Sequence, residues 1–171
     1  MPETSKRFFL PGMGASSHMY NEVWQSIAHA QFLDWPPYTG EQTLTQVAHN
    51  LIELHQMKRS DAFIGTSLGG MVACEIVKIL GSNRVFLIAS ATDPTEVQSL
   101  LKYFSSLANF TPIEMVQALS GKSNALLLDM FNNADPAFIR SMSQAIFKWE
   151  GIQKTNIEVV RIHGKKDRII P

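Results

Sequence analysis

The stretch Ile64-Gly65-Thr66-Ser67-Leu68-Gly69-Gly70 decides how the rest of the chain is interpreted. The residues before it, Asp61-Ala62-Phe63-Ile64, predict the end of a short buried strand, and residues 71–80 predict an amphipathic helix. Ser67 therefore lies on a turn between a strand and a helix. Such a turn strains the backbone and exposes the hydroxyl, while glycine neighbours allow close backbone approach. The alternative is a plain turn in which Ser67 is the helix N-cap.

Strand and helix patterns alternate on both sides of this turn. The helix patterns include an apolar face at Met19, Tyr20, Val23, Trp24 and Ile27, and a capping box at Thr43-Leu44-Thr45-Gln46. Strands are predicted at residues 6–10, 30–35, 61–64, 84–90 and 157–162. The alternation predicts an α/β fold with a mainly parallel sheet of about five strands flanked by helices. In such sheets, ligands bind at the carboxyl ends of the strands.

Residues 92–151 interrupt the alternation with consecutive helix patterns. Helix starts with proline at the first helical position are predicted after Asp93, Thr111 and Asp135. The sequence therefore predicts one domain whose core is 1–91 and 152–171, with an all-helical cap at 92–151 inserted between the last two strands. An ordinary outer layer of helices is the alternative, but the insertion is long for a simple connection.

Composition excludes several function classes. The 171 residues suit one domain, and a formal net charge of +0 gives no basic field for nucleic acid. No apolar run is long enough to span a bilayer, and the apolar stretch at Phe8-Phe9-Leu10 is too short for a signal peptide. The single cysteine, Cys74, rules out an internal disulfide. We expect a cytoplasmic protein with no metal and no organic cofactor.

Three motifs in this order resemble the α/β-hydrolase superfamily, in its small capped serine-hydrolase form. They are Pro11-Gly12-Met13-Gly14, the Gly65-Thr66-Ser67-Leu68-Gly69 elbow and His163-Gly164-Lys165-Lys166-Asp167. The resemblance implies that Ser67 is the nucleophile, that the backbone N–H groups of Met13 and Leu68 form an oxyanion hole, and that Asp167 is the triad acid. A glycine-rich turn and a turn aspartate are the alternatives for the first and third motifs, and Asp93 is a second candidate for the acid.

The catalytic base is the point at which the resemblance fails. The family places it on a histidine downstream of the acid, but all five histidines, His18, His29, His49, His55 and His163, precede Asp167. We therefore expect the chain to stop before the family's last strand and catalytic histidine, and its activity to be impaired. His18 borders the expected pocket and is the alternative base, because a base must lie within hydrogen-bonding distance of the nucleophile.

Two functions follow from these observations. The first is a serine hydrolase that acts through an acyl-enzyme on a small, mostly apolar ester or related carbonyl substrate, with a pocket lined by His18, Met19, Met71, Phe104 and Trp149. The second is a catalytically inactive ligand-binding or signalling module of the same fold. In both, an exposed sheet edge predicts pairing with a second copy as a homodimer.

Overall fold

Five parallel strands form a single sheet in the order β2-β1-β3-β4-β5. The computed structural model describes residues 5–20, 23–93, 95–96, 135–152 and 156–162. The strands are β1 (Arg7–Leu10), β2 (Ala30–Phe32), β3 (Ala62–Thr66), β4 (Arg84–Ile88) and β5 (Glu158–Ile162). The parallel sheet with helices along it confirms the predicted α/β class.

In the described residues, three α-helices and two short 3-10 helices lie between these strands. The helices are α1 (Leu44–His55), α2 (Leu68–Leu80) and α3 (Pro136–Phe147), with 3-10 turns at Ser17–Met19 and Trp24–Ser26. Their ends follow the capping signals in the sequence: Thr43 Oγ1 accepts from Gln46 N at 3.2 Å, Asp135 caps α3 ahead of Pro136, and Gly81, with a φ of 67°, is the C-cap of α2.

The main core lies between the sheet and the helices α1 and α2. Along β4, Val85 and Leu87 are fully buried in this core, whereas Phe86 and Ile88 project to the other face and are only partly buried. On that other face, Phe9 packs edge-on against Tyr20 and Trp24. Beside this aromatic cluster lies a hollow of about 650 Å³, whose floor includes Ile64, Phe86 and Ile88.

Two predicted elements near the N-terminus are wrong in detail. Where one amphipathic helix was expected through Met19 and Ile27, the described residues form two 3-10 turns, and Val23 is 80% exposed. The strand expected over residues 30–35 ends at Phe32, because Trp35 turns away to hydrogen-bond the loop after β1. In both places the tertiary contacts of aromatic residues override the secondary structure that the local sequence pattern predicts.

The described part of the chain has neither a membrane-spanning helix nor a metal-binding cluster. No helix there is long and apolar enough to cross a bilayer. The described residues also contain no cluster of three His, Cys, Asp or Glu side chains arranged to hold a metal ion.

Candidate active site

Ser67 adopts a strained backbone conformation between β3 and α2. Its φ of 51° and ψ of −118° lie in a region that non-glycine residues rarely occupy. The Ser67 side chain makes no capping hydrogen bond to α2, so the N-cap alternative is not supported. The backbone is fixed from both sides, because Ser67 N donates to Ile88 O at 3.0 Å and Ser67 O accepts from Gly70 N at 3.0 Å.

The glycines around Ser67 are required by close backbone contacts. A Cβ atom built on Gly65 would lie 2.2 Å from Gly69 O, and one built on Gly69 would lie 2.4 Å from Pro11 O. At Gly70 a Cβ atom would lie 2.3 Å from Ser90 Oγ. These distances are far below van der Waals contact, so the turn folds in this form only with glycine at all three positions.

The loop after β1 lies directly against the Ser67 turn. A Cβ atom built on Gly12 would be 3.9 Å from Ser67 Cβ, which places the Gly12–Met13 peptide beside the serine. Hydrogen bonds to Gly12 hold this loop: Trp35 Nε1 donates to Gly12 O at 2.9 Å, Ala15 N donates to the same oxygen at 3.1 Å, and Gly12 N donates to Met19 Sδ at 3.4 Å. The structure thus places the Met13 peptide beside Ser67, to which Leu68 is joined in the chain; their roles as oxyanion donors remain predictions.

Tyr20 connects the bases of these two loops. Its hydroxyl donates to Leu10 O at 2.6 Å and lies 2.8 Å from Thr66 Oγ1. Because the single phenolic proton is used on Leu10 O, the threonine hydroxyl must be the donor in the second bond. Burial raises the pKa of Tyr20 to about 12, so the hydroxyl stays protonated at ordinary pH.

The end of β4 contributes a second buried support. Ser90 is fully buried, and its hydroxyl donates to Ser67 O at 2.7 Å. Three residues later, Asp93 Oδ1 accepts from Thr95 N at 2.7 Å and from Glu96 N at 3.2 Å. The Thr95 hydroxyl bond lowers the pKa of Asp93. Asp93 therefore serves as a capping residue, which is the structural alternative to its role as the triad acid.

The other sequence-predicted site residues separate into three groups. Met19 and His18 lie by the loop after β1, where Met19 accepts from Gly12 N and His18 is exposed. Met71 belongs to the first turn of α2 and is buried in the main core. Phe104 and Asp167 lie outside the described residues.

Trp149 requires a correction. It was predicted to line the pocket, but it is 7% exposed in the main core and its Nε1 donates to Glu75 Oε1 at 2.7 Å. Glu75 lies eight residues after Ser67 on α2, which corresponds to a distance of about 12 Å along the helix axis. The indole N–H satisfies a buried carboxylate there, so we remove Trp149 from the candidate site.

Helix α3 covers the loop after β1. Ser143 Oγ donates to Met13 Sδ at 3.7 Å, Ser141 Oγ donates to Glu41 O at 2.5 Å, and the Phe138 ring lies 5.2 Å from that of Trp35. A cavity of about 420 Å³ opens beside these contacts. It is lined by Gly14, Ala15, Ser16, His18, Asp34, Trp35, Pro36, Pro37, Tyr38, Asp135 and Phe138.

Comparison with known proteins supports the fold. No protein-family model matches the chain, and no curated protein matches it in sequence. Among solved structures, the N-acyl homoserine lactonase AidH complexed with N-butanoyl homoserine has a TM-score of 0.75 at 14% identity, covering 99% of this chain and 73% of its own. The chain has the α/β-hydrolase fold.

Two further structures of this fold give similar values. A thermophilic esterase from Thermogutta terrifontis has a TM-score of 0.68 at 13% identity over 98% of this chain and 74% of its own. The RedJ thioesterase of the prodiginine pathway in Streptomyces coelicolor has a TM-score of 0.54 at 12% identity over 93% and 80%. At these identities the similarity establishes the fold, and the chemistry must be argued from the site.

Three supporting residues of this site, Tyr20, Trp35 and Ser90, were not predicted from the sequence. Each acts through a hydrogen bond to a backbone carbonyl that is distant along the chain. Tyr20 and Trp35 were interpreted only as apolar positions of a helix and a strand. Only Ser90 carried a signal in the sequence. It follows the apolar strand β4, and a hydroxyl buried there requires a hydrogen-bond partner.

Proposed function

We propose that this chain is a serine hydrolase in which Ser67 is the nucleophile. The observation that carries the proposal is the strained backbone of Ser67, with φ of 51°, packed against the Gly12–Met13 peptide. A strained non-glycine residue persists only where the surrounding structure holds it, and such residues are concentrated at functional sites. The contacts at Gly65, Gly69 and Gly70 provide that support here.

The proposed reaction is acyl transfer to serine. Ser67 Oγ forms a bond to the carbonyl carbon of the substrate while its proton passes to a base, and the carbonyl oxygen becomes an oxyanion bound by the Met13 and Leu68 N–H groups. Each such donor is worth about a hundredfold or more in rate. The carbon to leaving-group bond then breaks as the base returns the proton to the leaving group, and water hydrolyses the acyl-enzyme to release the acid and restore the Ser67 hydroxyl. Asp167, outside the described residues, remains our candidate for the triad acid.

The substrate class follows from the cavity and the fold. The cavity beside the loop after β1 has a wall of Trp35, Tyr38 and Phe138, which suits a small and mostly apolar group; its lining starts at Gly14 of that loop and does not include Ser67. The structural neighbours are a lactonase, an esterase and a thioesterase, whose names all describe cleavage of an acyl–oxygen or acyl–sulfur bond. We propose a small ester, lactone or thioester as substrate, with α3 as part of a cap over the site.

A second candidate function is a ligand-binding module without turnover. It is favoured by the histidines: among the described residues, none of His18, His29, His49 and His55 has a hydrogen bond to Ser67. A serine that none of these four histidines serves as base would turn over slowly, because a triad serine without its base keeps only about 10³-fold of catalysis over water. Cys74 is a buried free thiol, consistent with our proposal of a cytoplasmic location.

A fluorophosphonate probe distinguishes the two functions. Labelling forms a bond between Ser67 Oγ and phosphorus, breaks the P–F bond and releases fluoride, with the serine proton passing to the base or to solvent. We expect mass spectrometry to locate the adduct on Ser67, and Ser67→Ala to abolish it. Ser26→Ala, at an exposed serine of a 3-10 turn, is the matched control and should label normally. Unchanged labelling of Ser67→Ala would reject the hydrolase proposal.

A further inference from the structure

We propose that Trp35 and Ser90 are positioning residues that aim the two oxyanion-hole N–H groups. This inference rests on the proposed function, because it concerns the Met13 and Leu68 donors assigned there. Neither residue touches the reacting atoms. Each instead binds the carbonyl oxygen of the peptide group whose N–H is the donor.

The Gly12–Met13 peptide illustrates the geometry. A trans peptide is planar, so its C=O and N–H bonds point in opposite directions. Gly12 O is held by Trp35 Nε1 at 2.9 Å and by Ala15 N at 3.1 Å. These two bonds fix the carbonyl direction and thereby the direction of the Met13 N–H. Since a Cβ on Gly12 would lie 3.9 Å from Ser67 Cβ, this peptide is close enough to serve the serine.

The Ser67–Leu68 peptide is held in the same way. Ser67 O accepts from Ser90 Oγ at 2.7 Å and from Gly70 N at 3.0 Å, so the Leu68 N–H is directed away from these donors. Ser90 is fully buried and reaches this oxygen past Gly70, where a Cβ atom would lie 2.3 Å from Ser90 Oγ. The absence of a side chain at Gly70 is thus what admits the serine hydroxyl.

Both arrangements also strengthen the donors. A hydrogen bond accepted by a peptide carbonyl polarises that peptide, which makes its N–H a better donor, and the effect is larger in a buried site. Leu68 is 1% exposed and Met13 is 8% exposed, so both peptides are shielded from water. Trp35 also packs on Phe138 of α3 with ring centroids 5.2 Å apart. The orientation of the Met13 N–H therefore depends on the position of α3.

The test measures how fast a fluorophosphonate labels Ser67 in the full chain, as the maximal rate and the probe concentration at half that rate. Trp35→Phe removes the indole N–H and keeps an aromatic ring, and Ser90→Ala removes only the hydroxyl. Trp149→Phe is the control for the first, because Trp149 is a buried tryptophan whose Nε1 donates to Glu75 Oε1 in the main core, about 12 Å along α2 from Ser67. Ser82→Ala is the control for the second, because Ser82 is a buried serine that donates to Arg59 O near the opposite end of β4.

We expect the maximal labelling rate to fall about tenfold or more in each test variant, with the half-saturating concentration unchanged, and controls to stay within about twofold. Loss of packing alone would affect controls and test variants alike. If Ser67 labels normally and the test variants match their controls, the inference is wrong and the proposed function stands. If wild-type Ser67 does not label, both are wrong. Trp35→Leu and Ser90→Gly, which also lack the donor, replace a test variant that fails to give a native circular dichroism spectrum.

Discussion

The backbone of Ser67 is strained because of its Cβ atom, so the strain can be measured by substitution. A residue held at φ of 51° and ψ of −118° costs about 1–3 kcal/mol, and glycine avoids most of that cost. Ser67→Ala and Ser67→Gly both lack the hydroxyl and differ only in the Cβ atom. We expect the glycine variant to be more stable than the alanine variant by about 1 kcal/mol in urea unfolding. An alanine variant of equal or greater stability would show that the site is not strained.

Tyr20 gives the site a dependence on alkaline pH. Its pKa is raised by burial to about 12, above the ordinary value of 10.0, so the folded state holds the phenolic proton more tightly than the unfolded state does. The stability that the protonated Tyr20 hydroxyl gives to the folded state is fully present below pH 10 and is lost as pH rises towards 12. We expect the difference in unfolding free energy between wild type and Tyr20→Phe to shrink over this interval by about 2 kcal/mol. A difference that stays constant with pH would contradict this assignment.

At the scale of elements, the buried carboxylate of Glu75 joins three parts of the chain. Its Oε1 accepts from Trp149 Nε1 at 2.7 Å and Lys78 Nζ at 2.6 Å, and its Oε2 accepts from Thr45 Oγ1 at 2.8 Å. The network therefore ties α1 and α2 to the segment after α3.

Removing this carboxylate leaves the buried indole N–H of Trp149 without its partner. Glu75 is 2% exposed, so we expect Glu75→Ala to lower the free energy of unfolding by about 3 kcal/mol, less than for a fully buried pair because Lys78 can reach water. Glu53→Ala, at an exposed glutamate of α1, should change it by less than about 0.5 kcal/mol. Urea unfolding measures the free energy of unfolding of both variants. Equal losses in the two would show that the Glu75 network does not stabilise the fold.

The sequence predicted those elements whose signals are local. The turn at Ser67 was predictable because a buried strand, close glycines and an amphipathic helix are adjacent in the chain. The helix expected around Val23 was wrong because its apolar spacing came from aromatic residues, Tyr20 and Trp24, that pack on Phe9 on one face of the sheet. The roles of Trp35 and Ser90 could not be predicted, since each depends on which carbonyl oxygen the fold brings within reach.

For the whole molecule, the two faces and two edges of the sheet differ in how they are covered. Helices α1 and α2 bury one face, whereas Phe86 and Ile88 border a hollow on the other. In the described part of the chain, β5 pairs with β4 alone and forms one edge of the sheet. An edge strand presents backbone groups to which a second chain can pair, which is the basis of our proposal of a homodimer.

The outward-facing amides of β5 make that proposal testable. Glu158 N donates to Asn83 O, on the β4 side, so the next N–H, that of Val159, points to the outer edge because successive amides of a strand alternate in direction. Val159→Pro removes this donor without breaking the β4 ladder, and Val159→Ala keeps it. We expect light scattering at high protein concentration to show dimers for wild type and Val159→Ala and monomers for Val159→Pro. A monomeric wild type, or a dimeric proline variant, would mean that this edge does not pair two copies.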